Sequence, residues 1–161
     1  MRRRSVILAL SATLAMMPLA LAQALPATGF QVAGVDAAYA RVAAGMRCPS
    51  YDVLDAGTCL RLPPVLTSSD VRAVRVVGDS QNGLAIEVTL SPRGSRELFN
   101  YTSAHLGEEF AFVLDGKVIS TPVITVPVRG QTIVIVSEHL GPDDYERIAR
   151  RIQDLLRAEM S

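Results

Sequence analysis

The sequence is poor in the residues that build reactive centres. It holds two histidines and two cysteines in 161 residues. His105 and His139 show neither an H-x-x-x-H nor an H-E-x-x-H spacing, so the common helical zinc patterns are absent. No Gly-rich phosphate loop, Rossmann fingerprint or Walker motif occurs, which removes the usual nucleotide-binding classes. Ser68-Ser69 and Ser120-Thr121 lack the G-x-S-x-G context of a nucleophile elbow. Neither sign of charge dominates, since sixteen Lys and Arg face sixteen Asp and Glu. The basic face of a nucleic-acid binder is not evident. After the N-terminal run, Asp115, Gly116 and Lys117 interrupt the most apolar stretch, so no later segment is long enough to span a bilayer. These absences lead us to expect no catalytic residues, no metal, no cofactor and no nucleic-acid partner.

What is present begins with an export signal. Met1-Arg2-Arg3-Arg4 is basic, Ser5 to Ala22 is apolar, and Ala20-Leu21-Ala22 ends in a small-x-small pattern. That order describes a secretory signal peptide over 1–22. An uncleaved anchor is the competing reading, and Ala22-Gln23-Ala24 offers a second cleavage point. Loss of Arg2, Arg3 and Arg4 leaves thirteen basic against sixteen acidic residues, a formal charge of −3. The expected location is periplasmic or secreted, with no stable membrane span after cleavage. In that compartment an even cysteine count favours a disulfide between Cys48 and Cys59. Closing so short a loop would contribute about 2–3 kcal/mol. The spacing is not C-x-x-C and no His stands nearby, which argues against a redox or metal pair.

Residues 23–64 read as an N-terminal extension. Leu25 to Gly34 looks like a mobile linker, Asp36 can cap a short helix through Tyr39, Val42 and Met46, and the cysteine loop follows. Leu62-Pro63-Pro64 punctuates the chain before the main domain, 65–161. There the periods alternate. Val71 to Val77 and Ala85 to Leu90 read as strands joined through Asn82-Gly83. Ser91-Pro92 caps a helix carrying Leu98, Phe99, Thr102 and Leu106, and Gly107 ends it. Phe110 to Leu114 is a short buried strand, and Asp115-Gly116 is a tight turn. Lys117 to Val128 is extended, but Pro122 and Pro127 restrict it to an edge. Thr132 to Val136 is a β-branched strand. Gly141-Pro142-Asp143-Asp144 opens a final helix with its apolar stripe on Tyr145, Ile148, Ala149, Ile152, Leu155 and Leu156. The order β-β-α-β-β-β-α describes an α+β two-layer sandwich: a mainly antiparallel sheet with two helices on one face.

Phe112-Val113-Leu114-Asp115-Gly116-Lys117-Val118-Ile119-Ser120-Thr121-Pro122-Val123-Ile124 resembles the hairpin of the SecD family, in the head subdomain of its first periplasmic region. The flanks agree in order. Ser69-Asp70-Val71 precedes a strand, Ala85 to Phe99 repeats a strand-then-helix step, and Arg129-Gly130-Gln131 precedes a β-run and an acid-opened helix. The resemblance covers Leu66 to Leu156. Two details depart from it: Gln131 replaces a second glycine, and Ser137-Glu138-His139 replaces a glycine-containing turn. The family's transmembrane helices have no counterpart after the leader, so proton-coupled translocation is not expected of this chain alone. The resemblance implies a non-catalytic binding or accessory module, contacting polypeptide or an envelope protein and linked to protein export. The expected contact surface is the edge strand and its loops, with Lys117, Thr121, Pro122 and Arg129; Asp115 and Gly116 form the turn motif. The other classes left open are an envelope enzyme with an unrecognised site and a purely structural envelope module. His105 fits a helix C-terminal cap, and Asp143 and Asp144 fit the positive end of a dipole.

Overall fold

The structure, a computed structural model, describes residues 28–36, 59–79, 83–159 and 161. The leader, the short helix expected after Asp36, Cys48 and the middle of the Asn82-Gly83 turn lie outside the described residues.

Among the described residues, seven strands and two α-helices form an α+β fold. The strands are β1 (Phe30–Gly34), β2 (Leu66–Thr67), β3 (Val71–Asp79), β4 (Gly83–Leu90), β5 (Phe110–Leu114), β6 (Lys117–Ser120) and β7 (Thr132–Ile135). The helices are α1 (Pro92–Ala104) and α2 (Pro142–Glu159). All strand pairs are antiparallel, but they divide into two sheets, β2-β1-β5-β6 and β3-β4-β7, where the sequence suggests one.

The division follows from a strand that the sequence reading takes for linker. Phe30–Gly34 is buried at every position and pairs with β5 along its whole length. A Cβ at Gly34 would collide with the Tyr101 hydroxyl, so this glycine marks a close approach and not a flexible joint. Period-2 geometry sends Phe30, Val32, Phe110, Phe112 and Leu114 to one face, where they enter the main core. Ala33, Ala111 and Val113 point the other way, into a smaller core with Val35 and Leu60. Both faces of β1 and β5 are therefore covered, which explains their unbroken apolar pattern.

The second sheet adds Val74, Ile86, Val88, Ile133 and Ile135 to the main core, and α2 lies across β3 and β4 with Tyr145, Ile148, Ala149 and Ile152 inward. Both helix starts follow their sequence signals. The Ser91 hydroxyl accepts from the Gly94 amide at 3.0 Å, and Asp144 Oδ2 accepts from the Gly141 amide at 2.9 Å. The extended run from Lys117 stops at Ser120. Thr121 and Pro122 leave the ladder, only Val123 makes a bridge, to Glu109, and the chain then crosses to the other sheet as β7.

Candidate functional site

The Asp115-Gly116 turn is the best-anchored feature of the hairpin. Its φ values are 48° and 76°, both left-handed, as a two-residue turn of the primed type requires. The Asp115 amide donates to the Gly29 carbonyl at 3.0 Å, and the Gly29 amide donates back to Asp115 Oδ1 at 3.0 Å. Arg151 of α2 donates from Nε to Oδ2 at 2.7 Å and from Nη2 to Oδ1 at 3.2 Å. The hydrogen bond from Arg151 holds the Asp115 carboxyl below its ordinary pKa against the opposing effect of burial, and the Gly29 amide adds to it. One carboxylate thus joins the start of β1, the β5–β6 hairpin and α2.

Beside this clasp lies an open groove of about 610 Å³. The edge strand β6 forms one wall. The loop after β7 and the first turns of α2 form the other. Leu114, Val118, Ile119, Leu140 and Ile148 give it an apolar lining. Lys117, Arg147, Arg151 and His139 surround that lining. Arg151 is neutralised by Asp115 and Arg147 pairs with Asp144 at 2.5 Å, whereas Lys117 is exposed and has no ion-pair partner among the described residues. The second wall is fixed by Tyr145, whose hydroxyl donates to the Ser137 carbonyl at 2.9 Å and accepts from the Ser137 amide at 3.1 Å. A smaller cavity of about 360 Å³ continues past Val118 and Ile119 to Thr121 and Glu138. Between the two sheets, Ser120 Oγ donates to the Val136 carbonyl at 2.9 Å.

Lys117 and Thr121 thus line adjoining cavities. Pro122 is half-buried, and its carbonyl accepts from the Phe110 amide at 3.2 Å. Arg129 points elsewhere: its guanidinium lies 4.7 Å from the Phe99 ring centroid, on α1. The same stretch is held by the Val128 amide, which donates to Thr102 Oγ1 at 2.9 Å. His105 caps α1, with Nδ1 2.8 Å from the Tyr101 carbonyl and its ring stacked on Tyr101 at 4.0 Å. The two histidines do not share a cavity among those described. Cys59 is buried beside Leu60, and its expected partner Cys48 lies outside the described residues. Sequence reasoning missed Arg147, Arg151, Leu140 and Ile148 as groove residues. Arg147 and Arg151 stand four apart on a helix, which places them on one face, but nothing local says that this face meets a hairpin 36 residues earlier.

No described helix is long and apolar enough to cross a membrane. The family model for the SecDF P1 head subdomain matches residues 50–149. The protein translocase subunit SecD of Rhodobacter capsulatus is 39% identical over 72 residues, covering 45% of this chain and 13% of that protein. The SecDF subunit of Thermus thermophilus is 34% identical over 73 residues, covering 45% of this chain and 10% of that one. The chain therefore corresponds to about a tenth of the length of these relatives. Among solved structures, a SecDF described as a membrane component that enhances protein export superposes with a TM-score of 0.59 at 22% identity, over 78% of this chain and 62% of that one. SecDF in its super-membrane-facing form gives 0.56 at 23% identity, over 81% and 19%. These superpositions carry the fold, and with more than half of the chain matched by the family model, this protein belongs to the SecDF P1 head subdomain family.

Proposed function

We propose that this protein is an envelope-located accessory module of protein export that holds polypeptide along β6. The observation that carries the reading is the position of β6 at the outer edge of its sheet, with the apolar groove directly beside it. An edge strand offers unpaired backbone groups to an extended chain, and adjacent pockets can take alternate side chains. β6 is only four residues long and ends before Pro122, which limits self-pairing between copies and leaves a short docking edge. Family membership supports the link to export, because the relatives are translocase subunits. A periplasmic position and cleavage of the 1–22 leader complete the reading. We also retain the Cys48–Cys59 disulfide, supported by the absence of a free cysteine among the described residues.

Photocrosslinking in cells tests this. A probe at Thr121, which is exposed beside the groove, captures exported polypeptide or one recurring envelope protein. A probe at Arg150, exposed on α2 outside the groove lining, serves as the control. Equal capture at both positions, or none at Thr121 in a folded and abundant protein, overturns the edge assignment.

A further inference from the structure

We propose that the groove between β6 and α2 selects acidic polypeptide segments that carry aliphatic side chains. This deepens the edge-strand reading above and rests on it. The groups lining the groove include three formal cations, Lys117, Arg147 and Arg151, against one carboxylate, Asp115. The whole chain, by contrast, has a formal charge of zero. Two of these cations are already balanced, Arg151 by Asp115 and Arg147 by Asp144, so the unbalanced positive charge beside the apolar lining is that of Lys117. Lys117 stands on the edge strand itself and is unpaired among the described residues, so it is the cation most available to a ligand carboxylate. Arg147 is held in place by Asp144 yet remains 71% exposed, so it can meet a second carboxylate without reorganising.

The lining sets the rest of the specificity. Ile119, Leu140 and Ile148 accept aliphatic side chains, and a volume of about 610 Å³ has room for a few of them. In an extended segment, side chains alternate between the two sides. A segment laid along β6 would direct its aliphatic residues into the groove and its acidic residues toward the rim. The groove is concave and walled by a strand edge on one side. An anionic bilayer would instead need a protruding apolar and basic face, so the geometry favours a peptide.

The test uses fluorescein-labelled peptides of alternating Glu with Val or Leu, and the same peptides with Lys in place of Glu. They are titrated into the full-length protein by fluorescence anisotropy at low and raised salt. The acidic peptide is expected to bind about tenfold more tightly, with the advantage shrinking as salt rises. Lys117→Glu and Arg147→Glu, both at exposed positions, each weaken it by about fivefold or more. Arg150→Glu, one residue from Arg151 but outside the groove lining, leaves it unchanged. Equal binding of acidic and basic peptides overturns the proposal. So does an unchanged Lys117→Glu variant, or an equal loss in Arg150→Glu. Binding to phosphatidylglycerol vesicles that Lys117→Glu abolishes, without any binding of the acidic peptide, assigns the surface to a membrane and also overturns it. Crosslinking of polypeptide at Thr121 with no charge preference sinks this inference alone. Absence of crosslinking sinks the edge-strand reading.

Discussion

Asp115 shows how much one residue carries when three elements meet on it. The Asp-Gly pair reads from sequence as a hairpin turn, and φ values of 48° and 76° give that reading its physical basis. Its partners were not readable: Gly29 is 86 residues away and Arg151 is 36 residues away. Replacing Asp115 by Ala removes the carboxylate from both partners and places a Cβ without a local hydrogen bond at positive φ. We expect a loss of about 2–3 kcal/mol in urea-denaturation stability. Asp115→Asn keeps an acceptor for the Gly29 amide and tolerates the turn, so only the partly exposed ion pair is lost, about 1 kcal/mol. The pH dependence has a fixed sign. A carboxyl depressed in the folded state stabilises fully above its unfolded value of about 3.9 and loses that contribution as pH falls through the folded value. The stability gap between the native protein and Asp115→Asn should hold steady from neutral pH to about 5 and narrow below about 4. A gap that widened on acidification would contradict the role assigned to Arg151.

Among the elements, both helices and their caps were legible because capping chemistry is local: Ser91 and Asp144 act within three residues of their targets. The buried strand β1 was not. Its five residues, Phe30-Gln31-Val32-Ala33-Gly34, sit between glycines and below a proline, a composition that also describes a linker. What distinguishes them is the chain that packs on both faces, and that is tertiary information. The stretch after β6 is a similar case. The prolines rightly put this run at a sheet edge, but the strand ends at Ser120 and not at Val128, and the attachment of the later residues to α1 was invisible. Thr102 makes that attachment. It is fully buried, its hydroxyl donates to the Leu98 carbonyl at 2.8 Å, and it accepts from the Val128 amide at 2.9 Å. Thr102→Val preserves shape but leaves the Val128 amide without its acceptor, at a cost of about 1–3 kcal/mol. The loss should be local. Hydrogen exchange at Val128 should accelerate well beyond that in β4, and Arg129 should lose its place over Phe99. Uniform acceleration across both sheets would mean that the hydroxyl supports the whole core and not this one stretch.

For the molecule as a whole, the two-sheet arrangement makes the N-terminal residues part of the folding unit. A boundary at residue 65 is natural from sequence, because Pro63-Pro64 interrupts the chain and the alternating periods begin just after. The family match already begins at residue 50. The sheet order places β1 between β2 and β5, so a chain starting at Val65 would lack the strand that joins them. It would lose Phe30 and Val32 from the main core and Ala33, Val35 and Leu60 from the smaller one. Each fully buried large apolar side chain contributes about 1.5–3 kcal/mol. Phe30, Val32 and Leu60 together therefore reach about 5–9 kcal/mol, within the range of an entire domain's stability. The opposite edge would fare no better, since β5 would expose its inner ladder and the Asp115 clasp would lose Gly29. We expect residues 65–161 alone to show no cooperative urea transition and poor amide dispersion, while residues 28–161 unfold in a single step. A cooperative transition in the shorter chain would mean that the second sheet and the two helices form a core sufficient by themselves. The edge strand β6 would then rest on a strand that the protein can add or withdraw.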